Sequence, residues 1–169
     1  METAEPTTAE YAHLIESCLA GVADRLGIGR DRATWTSELT LAVANIGIEH
    51  RWDVCVSLRR PPGSSNFDAA WLYDLVWYRS DEQGLSRVEL VLESEWSMHW
   101  EHIRYDFEKL LIAKVPLKLL VFEAWEAQIE ARFDALKKGI RHFMGASTDE
   151  TYVLAALNSN NSRFRFLRA

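Results

Sequence analysis

The stretch WLYDLVWYRSDEQGLSRVELVLESEW, residues 71–96, decides the predicted fold. Both of its halves are rich in β-branched and aromatic residues, which favour strands. The segment between them contains Gln83-Gly84, a dipeptide that is typical of a tight hairpin turn. The sequence therefore predicts an antiparallel pair of strands near the centre of the chain.

The register of this hairpin determines which acidic side chains meet. If the two residues of that dipeptide form the whole turn, Val76 lies opposite Val91 and Asp74 lies opposite Glu93. Opposed residues share a face, with Cβ atoms about 4.5–5.5 Å apart. Side chains alternate along a strand, so Glu95 lies on the same face as Glu93. We therefore expect three carboxylates to converge.

Helical and strand patterns follow each other on both sides of the hairpin. In chain order the sequence predicts helices over 9–27 and from about Thr34 or Thr36 to Gly47, strands over 52–60, 71–80 and 86–96, a helix over 102–114, a strand over 116–124, a helix over about 124–143, and strands over 151–157 and 163–169. The strand, helix and strand from 116 to 157 should form a parallel, right-handed unit. The expected fold is a single α/β domain whose central mixed β-sheet is flanked by helices.

The composition limits the classes of protein to which the chain can belong. A chain of 169 residues with 48% hydrophobic positions suits one compact domain. The net charge of −6 disfavours a protein that coats nucleic acid through bulk electrostatics, so any DNA contact must be local. The start METAEPTTAE does not resemble a signal peptide, and the longest apolar tract is too short and too interrupted to span a membrane. We therefore expect a cytoplasmic protein, with Cys18 and Cys55 as reduced core thiols.

Carboxylates that cluster on a sheet need a positive charge nearby. Like charges that lie opposite each other destabilise a sheet, and carboxylates are almost never buried without a partner. Mg²⁺ prefers oxygen ligands and is commonly held by one or two carboxylates together with water and phosphate. The alternative is a solvated sheet edge, on which Glu89, Glu93 and Glu95 line the polar face of a half-exposed strand.

The order of helix, strand, hairpin, helix and strand resembles the PD-(D/E)XK nuclease superfamily over about residues 35–123. That family has a restriction endonuclease-like αβββαβ core, with an aspartate on the second strand, an acid-x-lysine on the third and often a glutamate on the first helix. Asp74, Glu93 and Glu38 match the three acids. The resemblance implies an extra N-terminal helix, and it divides the single domain (1–169) into a helical extension (1–30), a nuclease-like core (31–125) and a C-terminal helix with strands (126–169).

One position departs from the family pattern, because Glu95 stands where a lysine is usual. Some restriction enzymes of the superfamily have an acid-x-acid pair there, and other members carry the lysine on a neighbouring helix. Lys109 is the candidate for such a moved lysine, since it shares a helical flank with His102 and Asp106.

The resemblance also implies roles for these residues. Asp74 and Glu93 would coordinate one or two Mg²⁺ or Mn²⁺ ions, with Glu95 as a further ligand or general base. Lys109 would contact the phosphate, and Glu38 would act as an outer ligand through water. The implied partner is DNA, and a homodimer would be needed to cut both strands at once.

Two other interpretations of the sequence stay open. The chain could be a catalytically inactive nuclease-like fold that acts as a nucleic-acid or protein binding module, or an unrelated α/β protein whose carboxylates point apart. Trp96 and Trp100 follow the glutamates directly, and they could pack under helices, stack a base or line a pocket. The pair His99 and His102 has a metal-site spacing but lacks further ligands at a fixed distance.

Overall fold

The computed structural model describes residues 5–57, the backbone of residues 67–68, and residues 72–169. The end of the strand predicted over 52–60, the predicted loop at 61–65 and Trp71 lie outside the described residues.

The described residues form helices and strands in the predicted order. They are α1 (Thr8–Leu26), α2 (Arg32–Glu49), β1 (Asp53–Val56), β2 (Phe67–Asp68), β3 (Leu75–Asp81), β4 (Gly84–Glu95), α3 (Trp100–Ile112), β5 (Leu117–Ala124), α4 (Glu126–His142), β6 (Thr151–Asn158) and β7 (Arg163–Arg168). The short strand β2 was not predicted. The expected single α/β domain is confirmed.

The strands form one mixed sheet in the order β2-β1-β3-β4-β5-β6-β7. Neighbours are antiparallel from β1 through β3 to β4, parallel from β4 through β5 to β6, and antiparallel again between β6 and β7. The helices α3 and α4 make the crossovers that parallel neighbours require. The predicted parallel unit formed by β5, α4 and β6 is therefore confirmed.

Helices cover both faces of the sheet. Alternate residues of β4 enter two separate cores, because Leu90 and Leu92 pack on the side of α1 and α2, whereas Val91 packs on the side of α3 and α4. Cys55 is buried and Cys18 is half-buried, and both are free thiols. No helix in the described part of the chain is long and apolar enough to cross a membrane.

The start of α2 differs from the prediction. Its N-cap is Asp31 rather than Thr34 or Thr36, and the Asp31 side chain accepts a hydrogen bond from the backbone N of Thr34 at 2.9 Å. The helix also continues past Gly47 to Glu49. The start of α2 was thus predicted three or five residues too late, because threonine and aspartate are both common N-cap residues.

The predicted turn of the central hairpin is wrong by one residue. Asp81 pairs with Gly84, so the turn residues are Glu82 and Gln83. The Asp81 carboxylate accepts a hydrogen bond from the Gln83 backbone N at 2.8 Å, and Gly84 has a φ of 112°, which favours glycine.

Two irregularities in β4 nevertheless produce the predicted register further along the hairpin. The pairing shifts by one residue at Ser86 and again at Glu89, after which Val76 lies opposite Val91 as expected. Each β-bulge inserts one extra residue into β4. The second one places Glu89 beside Arg87 and Glu5, near Tyr11 of α1.

The alternative of a solvated sheet edge lined by exposed glutamates is therefore wrong. Glu89 and Glu93 are both buried, with 2% of each residue exposed, and they lie in different surroundings. Glu89 lies on the side of α1, whereas the carboxylate of Glu93 contacts α3. The sheet face at Glu93 therefore does not carry a row of exposed glutamates.

A close contact between α2 and β3 gives the first prediction. A Cβ added at Gly47 would lie 2.6 Å from Nε1 of the buried Trp77, whereas a Cβ at Gly21 of α1 would meet nothing within 4 Å. We expect Gly47→Ala to lower the free energy of unfolding by about 1–3 kcal/mol through overpacking. Urea unfolding measures this change.

Gly21→Ala is the matched control, since it makes the same substitution inside a helix without an overlap. Removing a helical glycine there should raise the free energy of unfolding by about 0.5–1 kcal/mol. Equal stabilisation by both substitutions would contradict the close contact between Gly47 and Trp77.

Candidate functional site

The acidic side chains predicted on the hairpin lie where β3 begins and β4 ends. Leu75 pairs with Leu92, so the preceding residue, Asp74, comes level with Glu93. The backbone N of Asp74 donates to the carbonyl O of Leu92 at 3.0 Å and extends the ladder by one residue. The structure thus brings Asp74 to Glu93 in the register that the sequence predicted.

Hydrogen bonds from two serines fix the carboxylate of Asp74. Its Oδ2 accepts from the backbone N and from the Oγ of Ser94, both at 2.8 Å, and its Oδ1 accepts from Ser57 Oγ at 3.3 Å. Ser94 is the middle residue of the acid-x-acid pair, and Ser57 directly follows β1. Neither serine was predicted as a site residue, because hydroxyl donors leave no distinctive pattern in a sequence.

The carboxylate of Glu93 is buried and contacts Lys109 of α3. Nζ of Lys109 lies 2.5 Å from Oε1 of Glu93 and 3.4 Å from Oδ1 of Asp106. The contact with Glu93 is a close ion pair between the ammonium group and a buried carboxylate oxygen. The structure therefore places Lys109 beside the acids, where the helical flank had suggested it.

Asp74, Glu93, Asp106 and Lys109 form a cluster in which burial and neighbouring charges shift several pKa values. The pKa of Glu93 is raised to about 8, mainly by burial and also by the charge of Asp74, against the opposing effect of Lys109. Burial also raises the pKa of Asp106, again against Lys109. For Lys109, burial favours the neutral amine, but Glu93 and Asp106 outweigh it and hold its pKa above the ordinary value. Glu93 and Asp106 thus share one ammonium group.

Glu95 has a different environment from that of Glu93. It is half-buried, and its Oε1 accepts a hydrogen bond from the backbone N of Ser97 at 2.5 Å, which stabilises the turn after β4. Its charge also contributes to the raised pKa of Asp106. Glu95 thus lies within electrostatic reach of the cluster while one of its oxygens is occupied by the backbone.

Glu38 is not brought to the cluster by the described contacts. Its carboxylate pairs with Arg25 of α1 at 3.1 Å. The buried residues of α2, the helix that carries it, pack in the core formed with α1, on the opposite face of the sheet from Lys109. Outer metal coordination by Glu38 gains no support from this placement.

Two residues close to Glu93 and Lys109 were not predicted as site residues. Asp106 lies one helical turn before Lys109, and the spacing of three residues was a visible signal for it. Tyr73 packs against the core beneath α3, and burial raises its pKa, with the charge of Glu93 adding to the effect. In the sequence, only the position of Tyr73 next to Asp74 indicated that it lies at the site.

The available carboxylate oxygens suit Mg²⁺ better than a metal ion whose ligands all come from the protein. Among the described residues, no three His, Cys, Asp or Glu side chains are placed to hold a metal ion. Mg²⁺ usually needs only one or two carboxylates, with water and substrate phosphate completing its shell. Oδ1 of Asp74 accepts only one long hydrogen bond, so Asp74 retains lone pairs for such an ion, whereas Oε1 of Glu93 is in close contact with Lys109.

Comparison of the chain with family models, with curated proteins and with solved structures gives no match. The resemblance to the PD-(D/E)XK nucleases therefore rests on the residues and the order of elements described above.

The ion pair between Lys109 and Glu93 gives the second prediction. Lys109→Met removes the cation while Glu93 stays buried, so we expect the free energy of unfolding to fall by about 1–3 kcal/mol at pH 9, where the pKa of about 8 leaves Glu93 ionised. The double variant Glu93→Gln/Lys109→Met should recover most of that loss, because no buried charge then lacks a partner. Urea unfolding of both single variants and the double variant measures the interaction energy.

Arg104→Met is the matched control, since Arg104 lies on the same helix and its side chain is 57% exposed. Its effect should stay within about 0.5 kcal/mol. Strictly additive effects of Glu93→Gln and Lys109→Met would contradict a direct interaction between the two side chains.

The raised pKa of Glu93 gives the third prediction. A group whose pKa is higher in the folded state than its ordinary value of 4.5 stabilises the fold at low pH, and this contribution is lost as the pH rises through about 8. We therefore expect the free energy of unfolding, measured in EDTA, to fall between pH 5 and pH 8. Glu93→Gln should reduce this fall, and an unchanged pH dependence in that variant would contradict the shift.

Proposed function

We propose that this protein is a Mg²⁺-dependent nuclease that hydrolyses phosphodiester bonds of DNA. The observation that carries the proposal is the meeting of Asp74, Glu93 and Lys109 at one end of the sheet. Two acids from neighbouring strands and a lysine from the following helix are the charged groups that phosphodiester hydrolysis with a divalent ion requires.

The arrangement of elements supports the same proposal. Apart from the two-residue strand β2, the elements α2, β1, β3, β4, α3 and β5 follow the order αβββαβ, with antiparallel pairing of β1 with β3 and of β3 with β4 and parallel pairing of β4 with β5. Asp74 lies at the start of the second strand of this unit, and Glu93 lies near the end of the third. These are the positions of the first two acids in the PD-(D/E)XK pattern.

The residues of the site would have different roles in the reaction. Ser57 and Ser94 hold Asp74 in one orientation, which leaves it ready to coordinate. Bound Mg²⁺ would supply Lewis acidity for the phosphate and lower the pKa of an attacking water. Lys109 would contact a phosphate oxygen and offset the negative charge that develops there, and the neighbouring acids keep its ammonium group protonated.

A second function, a binding module without catalysis, is favoured by one observation. Lys109 already compensates Glu93 and Asp106, while Glu95, in place of the usual lysine, bonds to the backbone of Ser97. A cluster neutralised in this way is stable without a metal ion. Such a protein would bind its partner in the presence of EDTA and would leave DNA intact.

DNA cleavage gives the fourth prediction. With Mg²⁺ or Mn²⁺ the protein should nick or cut supercoiled plasmid and single-stranded oligonucleotides, and EDTA should stop the reaction. Asp74→Asn and Glu93→Gln remove metal ligands and should lower the rate at least about 100-fold, as should Lys109→Ala, which removes a charge from the transition state. Gel assays of initial rates measure these effects.

Glu108→Gln is the control, because Glu108 is an exposed residue of α3 that pairs with Arg104. It should cleave at the wild-type rate. Activity that persists in Asp74→Asn or in EDTA would overturn the nuclease proposal, and binding of DNA without cleavage would support the binding module. Conversion of plasmid to the linear form without a nicked intermediate would indicate that two sites act together in a homodimer.

A further inference from the structure

A cavity of about 380 Å³ opens at the same edge of the sheet as the carboxylate cluster, on the side of α2. It lies between the connection from α1 to α2 and the residues that follow β4 and β6. Its walls include two tryptophans, two arginines, a glutamate and a serine: Trp35, Trp96, Arg30, Arg32, Glu123 and Ser159. None of these residues has a role in the proposed hydrolysis.

The cavity and the carboxylate cluster are linked by a short piece of chain. Trp96 follows Glu93 by three residues, and three residues of extended chain span at most about 11 Å. Trp96 packs in the core beneath α1 and α2, whereas Glu93 contacts Lys109 of α3. A short oligonucleotide that crosses this edge of the sheet could therefore reach both sites at once.

The aromatic wall of the cavity suits a nucleobase. The rings of Trp35 and Trp96 lie 6.2 Å apart between centroids and are tilted by 35°. Both tryptophans line the cavity, and 4% of Trp35 and 8% of Trp96 are exposed. Aromatic side chains contact bases of any sequence.

The polar wall of the cavity carries two exposed arginines that can bind phosphate, Arg30 and Arg32. Arg32 forms a long ion pair with Glu123 at 4.0 Å, and 64% of its side chain is exposed, so its guanidinium group can contact a phosphate as well. Arg30 donates its Nε to the carbonyl O of Leu26, which leaves its terminal nitrogens available.

We propose that this cavity binds an unpaired base of single-stranded DNA, with Arg32 on the adjoining phosphate. The substrate class rests on the proposed nuclease function. A base in a duplex is paired and stacked, so it must leave the helix before it can enter such a cavity. The preferred substrate is therefore a single strand, an overhang or a flap, whose backbone passes from the cavity to Asp74 and Glu93.

The test measures binding and needs no cleavage. Fluorescence anisotropy of a labelled ten-residue oligothymidylate in EDTA should show binding about tenfold tighter than that of the same strand in a duplex. Arg32→Ala should weaken oligothymidylate binding about 5–10-fold and lower the salt dependence by about one phosphate contact. Thymidine 5′-monophosphate should compete with the oligonucleotide, and glycerol 3-phosphate, which lacks a base, should not.

Arg104→Ala is the matched control, because this exposed arginine of α3 lies away from the cavity and should leave binding unchanged. Equal binding of single strand and duplex, or equal losses in Arg32→Ala and Arg104→Ala, would overturn the proposal. The assay also separates the two functions. Binding that depends on Arg32 without any cleavage would refute only the nuclease, whereas cleavage with no effect of Arg32→Ala on binding would refute only the cavity.

Discussion

The strand β4 pairs with a strand on each side and packs in a hydrophobic core on each face, and the position of the candidate site depends on this constraint. It is antiparallel to β3 and parallel to β5, and its alternate residues pack beneath different pairs of helices. A strand held on all four sides cannot turn its side chains away from unfavourable surroundings. Glu93 is therefore buried on the face of α3, and a cation must reach it.

Lys109 supplies that cation, and it connects the stability of the fold with the chemistry of the site. A buried carboxylate without a partner is costly, whereas one beside an ammonium group is tolerated. The same proximity keeps Lys109 protonated next to Glu93 and Asp106. A pair formed only for stability would need no third acid, yet Asp74 is level with Glu93 and is fixed by two serines.

The edge of the sheet at this end concentrates further polar and aromatic groups. The carboxyl ends of β4, β5 and β6 meet there, as is usual for ligand sites in sheets with parallel strands. The carboxylate cluster occupies the α3 side of this edge, and the cavity with Trp35, Trp96 and Arg32 occupies the α2 side. Trp100, the other tryptophan after the glutamates, packs on the α3 side instead. One edge thus carries the carboxylate cluster on one side and a cavity lined by tryptophans and arginines on the other.

The sequence by itself determined the order of the elements apart from β2, and the mixed sheet, because hydrophobic periodicity and β-propensity are local signals. Only the tertiary structure decided the rest. The predicted turn was one residue off, and two β-bulges in β4 restored the register while placing Glu89 on the side of α1, because bulges depend on packing across the sheet. The structure likewise showed that Lys109 contacts Glu93, that Asp106 belongs to the cluster, that Ser57 donates a hydrogen bond to Asp74 and that Glu38 pairs with Arg25. These contacts join residues far apart in the chain, and the packing of helices on the sheet determines them.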